Sequence, residues 1–100
     1  MIGRIWKGVT RTEDAPAYVR YVRETGLKEY RETPGNHGAW VFWRDANGRA
    51  EVLTISLWES RDAVAGFAGQ DIDRAVFYPE DDRYLIDRDL TVSHYEVETA

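Results

Sequence analysis

One hundred residues, 43% apolar and 31% charged, have the composition of a single globular domain spanning residues 1–100 rather than of a disordered chain. Thirteen Lys and Arg against eighteen Asp and Glu leave a net charge of −5. That balance argues against nucleic acid or a membrane surface as partner, because both need a concentrated positive field. With no cysteine, disulfides, thiolate nucleophiles and zinc–thiolate sites are excluded. No apolar run approaches the ~18–20 residues of a membrane span, so a soluble, cytoplasmic protein is expected.

In chain order, Ile2 to Thr10 alternate loosely and are rich in Ile, Trp and Val, which predicts a first strand. Thr12-Glu13-Asp14 has the acids of a helix start, and Pro16 falls early enough to need no amide donor. Ala15, Tyr18, Val19 and Val22 form the apolar stripe of that helix, and Gly26 is its expected stop. Leu27 to Arg31 add a further turn before Thr33-Pro34-Gly35-Asn36 breaks the chain.

Two strands follow, Gly38–Asp45 and Arg49–Trp58, joined at Asn47-Gly48, the strongest short signal for a tight hairpin. A two-residue turn pairs Ala46 with Arg49, Arg44 with Glu51, Val41 with Thr54 and His37 with Trp58. A three-residue loop with a bulge at Gly48 is the alternative register. Ser60 is a good N-cap for a second helix, Arg61 to Ala68, closed by Gly69. Asp71 to Val76 read as a short third helix, and Tyr78 to Asp82 as a break that starts a turn running through Leu85. Residues 71–89 hold seven acids and three arginines, so most of the net charge sits there. Leu90 to Val97 form the last strand.

The order β-α-β-β-α-β predicts an α+β, ferredoxin-like fold: a four-stranded antiparallel sheet with helices on one face. In the third strand Leu53, Ile55 and Leu57 alternate with Val52, Thr54, Ser56 and Trp58, so neither side is clearly polar. The face away from the helices therefore needs its own cover, and a two-fold homodimer supplies it. Thirteen aromatics in so short a chain (Trp 4, Tyr 6, Phe 3) point the same way, or to a flat-walled cavity for a hydrophobic small molecule.

Three segments carry a resemblance to a known family. They are Leu57-Trp58-Glu59-Ser60 leading into Arg61–Phe67, the Pro34-Gly35-Asn36 turn, and the terminal Val92-Ser93-His94-Tyr95-Glu96-Val97. Together they resemble the antibiotic biosynthesis monooxygenase superfamily, the dimeric α+β barrels, over nearly the whole chain. The resemblance implies a homodimer with a cavity between helices and sheet in each subunit. It also implies a small enzyme that oxidises quinone precursors without a cofactor. Trp58 matches the tryptophan of those oxygenases. Thr54 stands where they carry an asparagine, and Val64 where they carry a tyrosine. The haem-degrading relatives use a first-strand asparagine and a histidine from the second-helix region. This chain has no Asn before Asn36 and no His between His37 and His94, so haem degradation is not expected.

The candidate site residues follow from both readings. His37 and His94 are the only side chains whose ordinary pKa lies near neutrality, and either is a candidate base. The alternatives are an exposed turn residue for His37 and a hydrogen-bonded sheet histidine for His94. Trp58 is a candidate wall for a planar substrate or a core anchor. Tyr78 and Tyr84 are candidate donors to a substrate carbonyl. Arg4, on the same strand face as Trp6, is a candidate partner for an enolate or phenolate. The acids Asp71, Asp73, Glu80, Asp81 and Asp82 have no calcium-loop spacing and read as a solvated face. The expected function is a cofactor-independent monooxygenase acting on an aromatic or polyketide-like compound through a deprotonated intermediate. A cyclase or isomerase on the same barrel is one alternative, and a non-catalytic dimer that binds a hydrophobic ligand is another.

Overall fold

A computed structural model describes residues 1–100. Strand β1 (Ile2–Arg11) leads through a single 3-10 turn, Thr12–Asp14, into helix α1 (Ala15–Glu24) and then α2 (Gly26–Glu32). The hairpin strands β2 (Asn36–Ala46) and β3 (Arg49–Trp58) follow, then α3 (Arg61–Ala68), the short α4 (Asp81–Tyr84), β4 (Leu85–Arg88) and β5 (Ser93–Glu96). The sheet is antiparallel, in the order β2-β3-β1-β4, with β5 also on β1. This is the α+β, ferredoxin-like architecture that the element order predicts, with helices on one face.

Alternation along the strands sorts the side chains. Ile2, Arg4, Trp6 and Thr10 of β1, and Ala50, Val52, Thr54, Ser56 and Trp58 of β3, are buried on the helix face. They meet Tyr18, Val22, Leu27, Tyr30 and Val64 from the helices. Gly8 is required by close packing: a Cβ there would come within 2.5 Å of the Trp6 ring and 2.8 Å of a Leu85 methyl. The opposite face is apolar and open. Leu53, Ile55 and Leu57 are half-buried there, beside the exposed Trp40, Phe42 and Tyr95.

The two-residue hairpin turn forms. Asn47 and Gly48 both take positive φ, 56° and 79°, and Ala46 pairs with Arg49. The register runs as expected from there to Gly38 opposite Leu57, and then slips. A bulge at His37 puts Asn36, not His37, opposite Trp58. The Asn36 side chain fixes it, donating to the Leu57 carbonyl at 3.2 Å and accepting from the Gly38 amide at 3.1 Å.

Three further expectations are corrected. The first helix breaks at Thr25, whose hydroxyl donates to the Tyr21 carbonyl at 2.7 Å, and Gly26 opens α2 rather than ending α1. Asp71 to Val76 form no helix. Arg74 bridges Thr91, the Ala75 amide donates to the Leu90 carbonyl, and the Val92 amide to that of Asp73. An unexpected fifth strand forms: β4 follows the turn at Leu85 and pairs with Gly8–Thr10, while the last strand pairs with Ile2–Ile5 only from Ser93 rather than from Leu90. The segment between α3 and α4 crosses back toward the sheet in this way and borders the space between helices and sheet.

Candidate active site

That space is a narrow cavity of ≈ 40 Å³. The sheet contributes Arg4, Trp6 and Thr54, the helices and their junction Tyr18, Val22, Thr25, Gly26 and Tyr30, and the crossing segment Ala75, Val76 and Tyr78, with Val92 and Asp81 completing the lining. Its walls are mainly apolar and aromatic, with two charged groups.

The first charge is Arg4. Strand parity turns it to the helix face, and only 1% of it is exposed. Its guanidinium donates to the carbonyls of Ile72 and Arg74 and lies 5.9 Å from the Phe67 ring centre. Nη1 is 3.1 Å from Nε2 of His94. No carboxylate pairs with Arg4, and its Nε is buried without any partner. An arginine only donates, so His94 Nε2 must accept. The imidazole proton then sits on Nδ1, which donates to Asp73 Oδ1 at 3.1 Å. Burial pushes the His94 pKa down, and the Arg4 charge adds to the effect; the Asp73 carboxylate opposes it only in part.

The second charge is Asp81, only 4% exposed. Its Oδ1 accepts from the Tyr18 hydroxyl at 3.0 Å and its Oδ2 from the Tyr78 amide at 2.7 Å. Burial, then the Asp81 charge, push the Tyr18 phenol far above its ordinary value, so it stays a donor. Tyr78 is raised too, by burial and by donating its hydroxyl to Glu29. An ionised carboxylate offers roughly four lone-pair directions, and Tyr18 and Tyr78 use one on each oxygen. Each Asp81 oxygen thus has one identified donor, and the residue lines the cavity.

Among the residues singled out in the sequence, Arg4, Trp6, Thr54 and Tyr78 come together on the lining. His37 does not: it is exposed on its bulge. His94 stands behind Arg4, outside the lining, with both ring nitrogens engaged. Trp58 is fully buried, with its indole N–H on Ser56 Oγ at 2.8 Å and its ring against Tyr30 and Phe67. It sits in the core and not on the cavity. Tyr84 stacks beside Tyr18 and Tyr21, also away from the lining. Asp81, expected on a solvated face from its acidic run, is instead buried. The partner that buries it, Tyr18, lies 63 positions away, beyond any local signal.

No family sequence model matches this chain, and no curated protein sequence does. Solved structures do. A crystal structure of an antibiotic biosynthesis monooxygenase superposes with a TM-score of 0.64 at 16% identity, covering 99% of this chain and 100% of that one. HapK from Hahella chejuensis gives 0.62 at 15% identity, covering 100% of this chain and 95% of its own. The haem-degrading MhuD of Mycobacterium tuberculosis gives 0.61 at 14% identity, covering 100% and 98%. The class is therefore the ferredoxin-like α+β unit with a cavity between helices and sheet. More narrowly, the chain has the fold of the antibiotic biosynthesis monooxygenase structures, as its sequence resemblance implied.

Proposed function

We propose that this protein is a cofactor-independent monooxygenase of a hydrophobic aromatic or polyketide-like small molecule, working through a deprotonated intermediate in the cavity. One observation carries the reading: a buried carboxylate, Asp81, and a buried guanidinium with no acidic partner, Arg4, line the same otherwise apolar space. Asp81 takes the proton from an acidic C–H of the bound ring system, held in place by Tyr18 and the Tyr78 amide. Arg4 faces the enolate or phenolate oxygen that this creates, in a low-dielectric site where such pairing is strong. The carbanion then adds dioxygen. One oxygen atom stays on carbon as a new carbonyl, and the other leaves as water with the two hydrogens lost from that carbon.

Neither histidine is the base in this scheme. Two histidines outside the pocket are also what a non-catalytic binder would show, and the buried Asp81 is what favours an enzyme. The apolar outer face, with Trp40, Phe42 and Tyr95 exposed, supports a homodimer closed sheet to sheet.

The test is oxygen uptake with anthrone, in the presence of a chelator and without added flavin. Wild-type protein should consume one dioxygen per anthraquinone formed. Asp81→Asn should lose a factor of about 10²–10⁴, the usual range for a general base, and His37→Ala should lose nothing. Full activity in Asp81→Asn overturns the scheme.

A further inference from the structure

The two charges of the cavity are not equivalent. Asp81 is matched locally by a hydroxyl and an amide that both donate to it. Arg4 is matched by carbonyls, an imidazole nitrogen and a ring face, all of them neutral, and one of its N–H donors has nothing. A buried cation with no carboxylate in salt-bridge contact, and with an idle donor, is a costly arrangement. An oxyanion relieves both defects at once. We infer that the cavity is a binding subsite for planar aromatic monoanions, with a carboxylate or phenolate oxygen seated on Arg4 in the ground state.

The chemistry narrows the ligand further. One guanidinium supplies a single positive charge, and Asp81 lines the same space, so a dianion such as a phosphate monoester would leave negative charge unpaired in the interior. Trp6, Val22, Val76 and Val92 offer apolar walls to a ring. A volume of ≈ 40 Å³ admits water and not a ring. Entry therefore requires the crossing segment at Ala75 and Val76 to move outward. Arg4 itself tethers that segment through the carbonyls of Ile72 and Arg74. An anion competes for the same guanidinium, so binding and opening are coupled.

This inference rests on the proposed function only for the location of the site, and its test uses an unreactive probe. Benzoate and its neutral isostere benzamide are titrated into the protein, following the Trp6 Nε1–H and Arg4 Nε–H resonances. Benzoate should bind at least tenfold tighter than benzamide and shift the Arg4 Nε–H. Arg4→Lys, which keeps the charge but loses Nε–H and the planar fork, should weaken benzoate at least tenfold and shrink its preference over benzamide. If that variant does not fold, the wild-type resonance decides alone. Equal binding of the two probes, no binding of benzoate, or binding that leaves the Arg4 resonance unmoved each overturns the inference. Absence of oxygen uptake with anthrone would leave it standing, and failure of benzoate would leave the oxygenase scheme standing.

Discussion

Arg4 Nη1 and His94 Nε2 lie 3.1 Å apart where β1 pairs with β5, so the only histidine near the cavity serves as an acceptor for the arginine that lines it. The contact holds only while His94 is neutral. Protonation would place an N–H against the guanidinium and a second cation beside the first.

An acid-dependent stability follows from that contact. The folded pKa of His94 is depressed below its ordinary value of 6.5 by burial and by Arg4. The unfolded chain thus takes up the proton first. His94 favours the folded state above about pH 6.5, and this contribution is lost as pH falls from there through the folded value. Arg61 adds to the depression, and Asp73 opposes it. Thermal melts from pH 7.5 to 4.5 should show the decline. His94→Gln, which can still accept from Arg4 and donate to Asp73 but does not titrate, should flatten the part of the curve just below pH 6.5. An unchanged curve would show that the imidazole is not linked to folding.

At the alkaline end, Tyr18 and Tyr78 should resist ionisation. Their phenols are raised above 10.0 by burial, and each donates to a carboxylate. Both should keep their protons in the native protein and ionise only as it unfolds. Because both values are raised, these groups favour the folded state up to about pH 10 and lose that contribution as pH rises further. Absorbance at 295 nm against pH, alongside circular dichroism, counts them. Six tyrosines titrating before unfolding would contradict the burial of this pair.

Trp58 is expected to act on stability rather than on ligand binding. Its ring is enclosed by Tyr30 and Phe67, and its N–H is used by Ser56. Trp58→Ala should cost about 3–5 kcal/mol by denaturant titration, the range for deleting a buried large aromatic. A loss below about 1 kcal/mol, well short of that range, would show the site to be looser than the packing indicates.

The open sheet face should close on a second copy. Wild-type protein should sediment at twice the 11.6 kDa of one chain, and Phe42→Asp or Leu53→Glu, placed opposite one another on that face, should shift it toward monomer. Monomer across the micromolar range in the wild type would mean that the apolar face stays wet.

Elements set by local rules were legible in the sequence, and those set by distant partners were not. Asn47-Gly48 specifies its turn through two positive φ angles, and Ser60 caps α3 by accepting from the Ala63 amide at 3.1 Å. Strand parity put Arg4 on the same face as Trp6, and the β1–β3 pairing of the structure brings Thr54 opposite Trp6. The bulge at His37 depends on one asparagine reaching across to Leu57, which periodicity does not register. Asp71–Val76 has helical spacing but finds its backbone partners at 90–92 and in Arg4. Asp81, in an acidic run, is buried only because Tyr18 and Tyr78 converge on it.

The most direct test of the cavity as the functional site is a ¹H–¹⁵N map of the protein titrated with a hydroxyanthraquinone, the product class of the proposed reaction. The largest shifts should fall on Trp6 Nε1–H, Thr54, Val76, Asp81 and Val92, with the Arg4 side chain among them. Shifts confined to Trp40, Phe42 and Tyr95 on the outer face, or none at saturating ligand, would contradict the account.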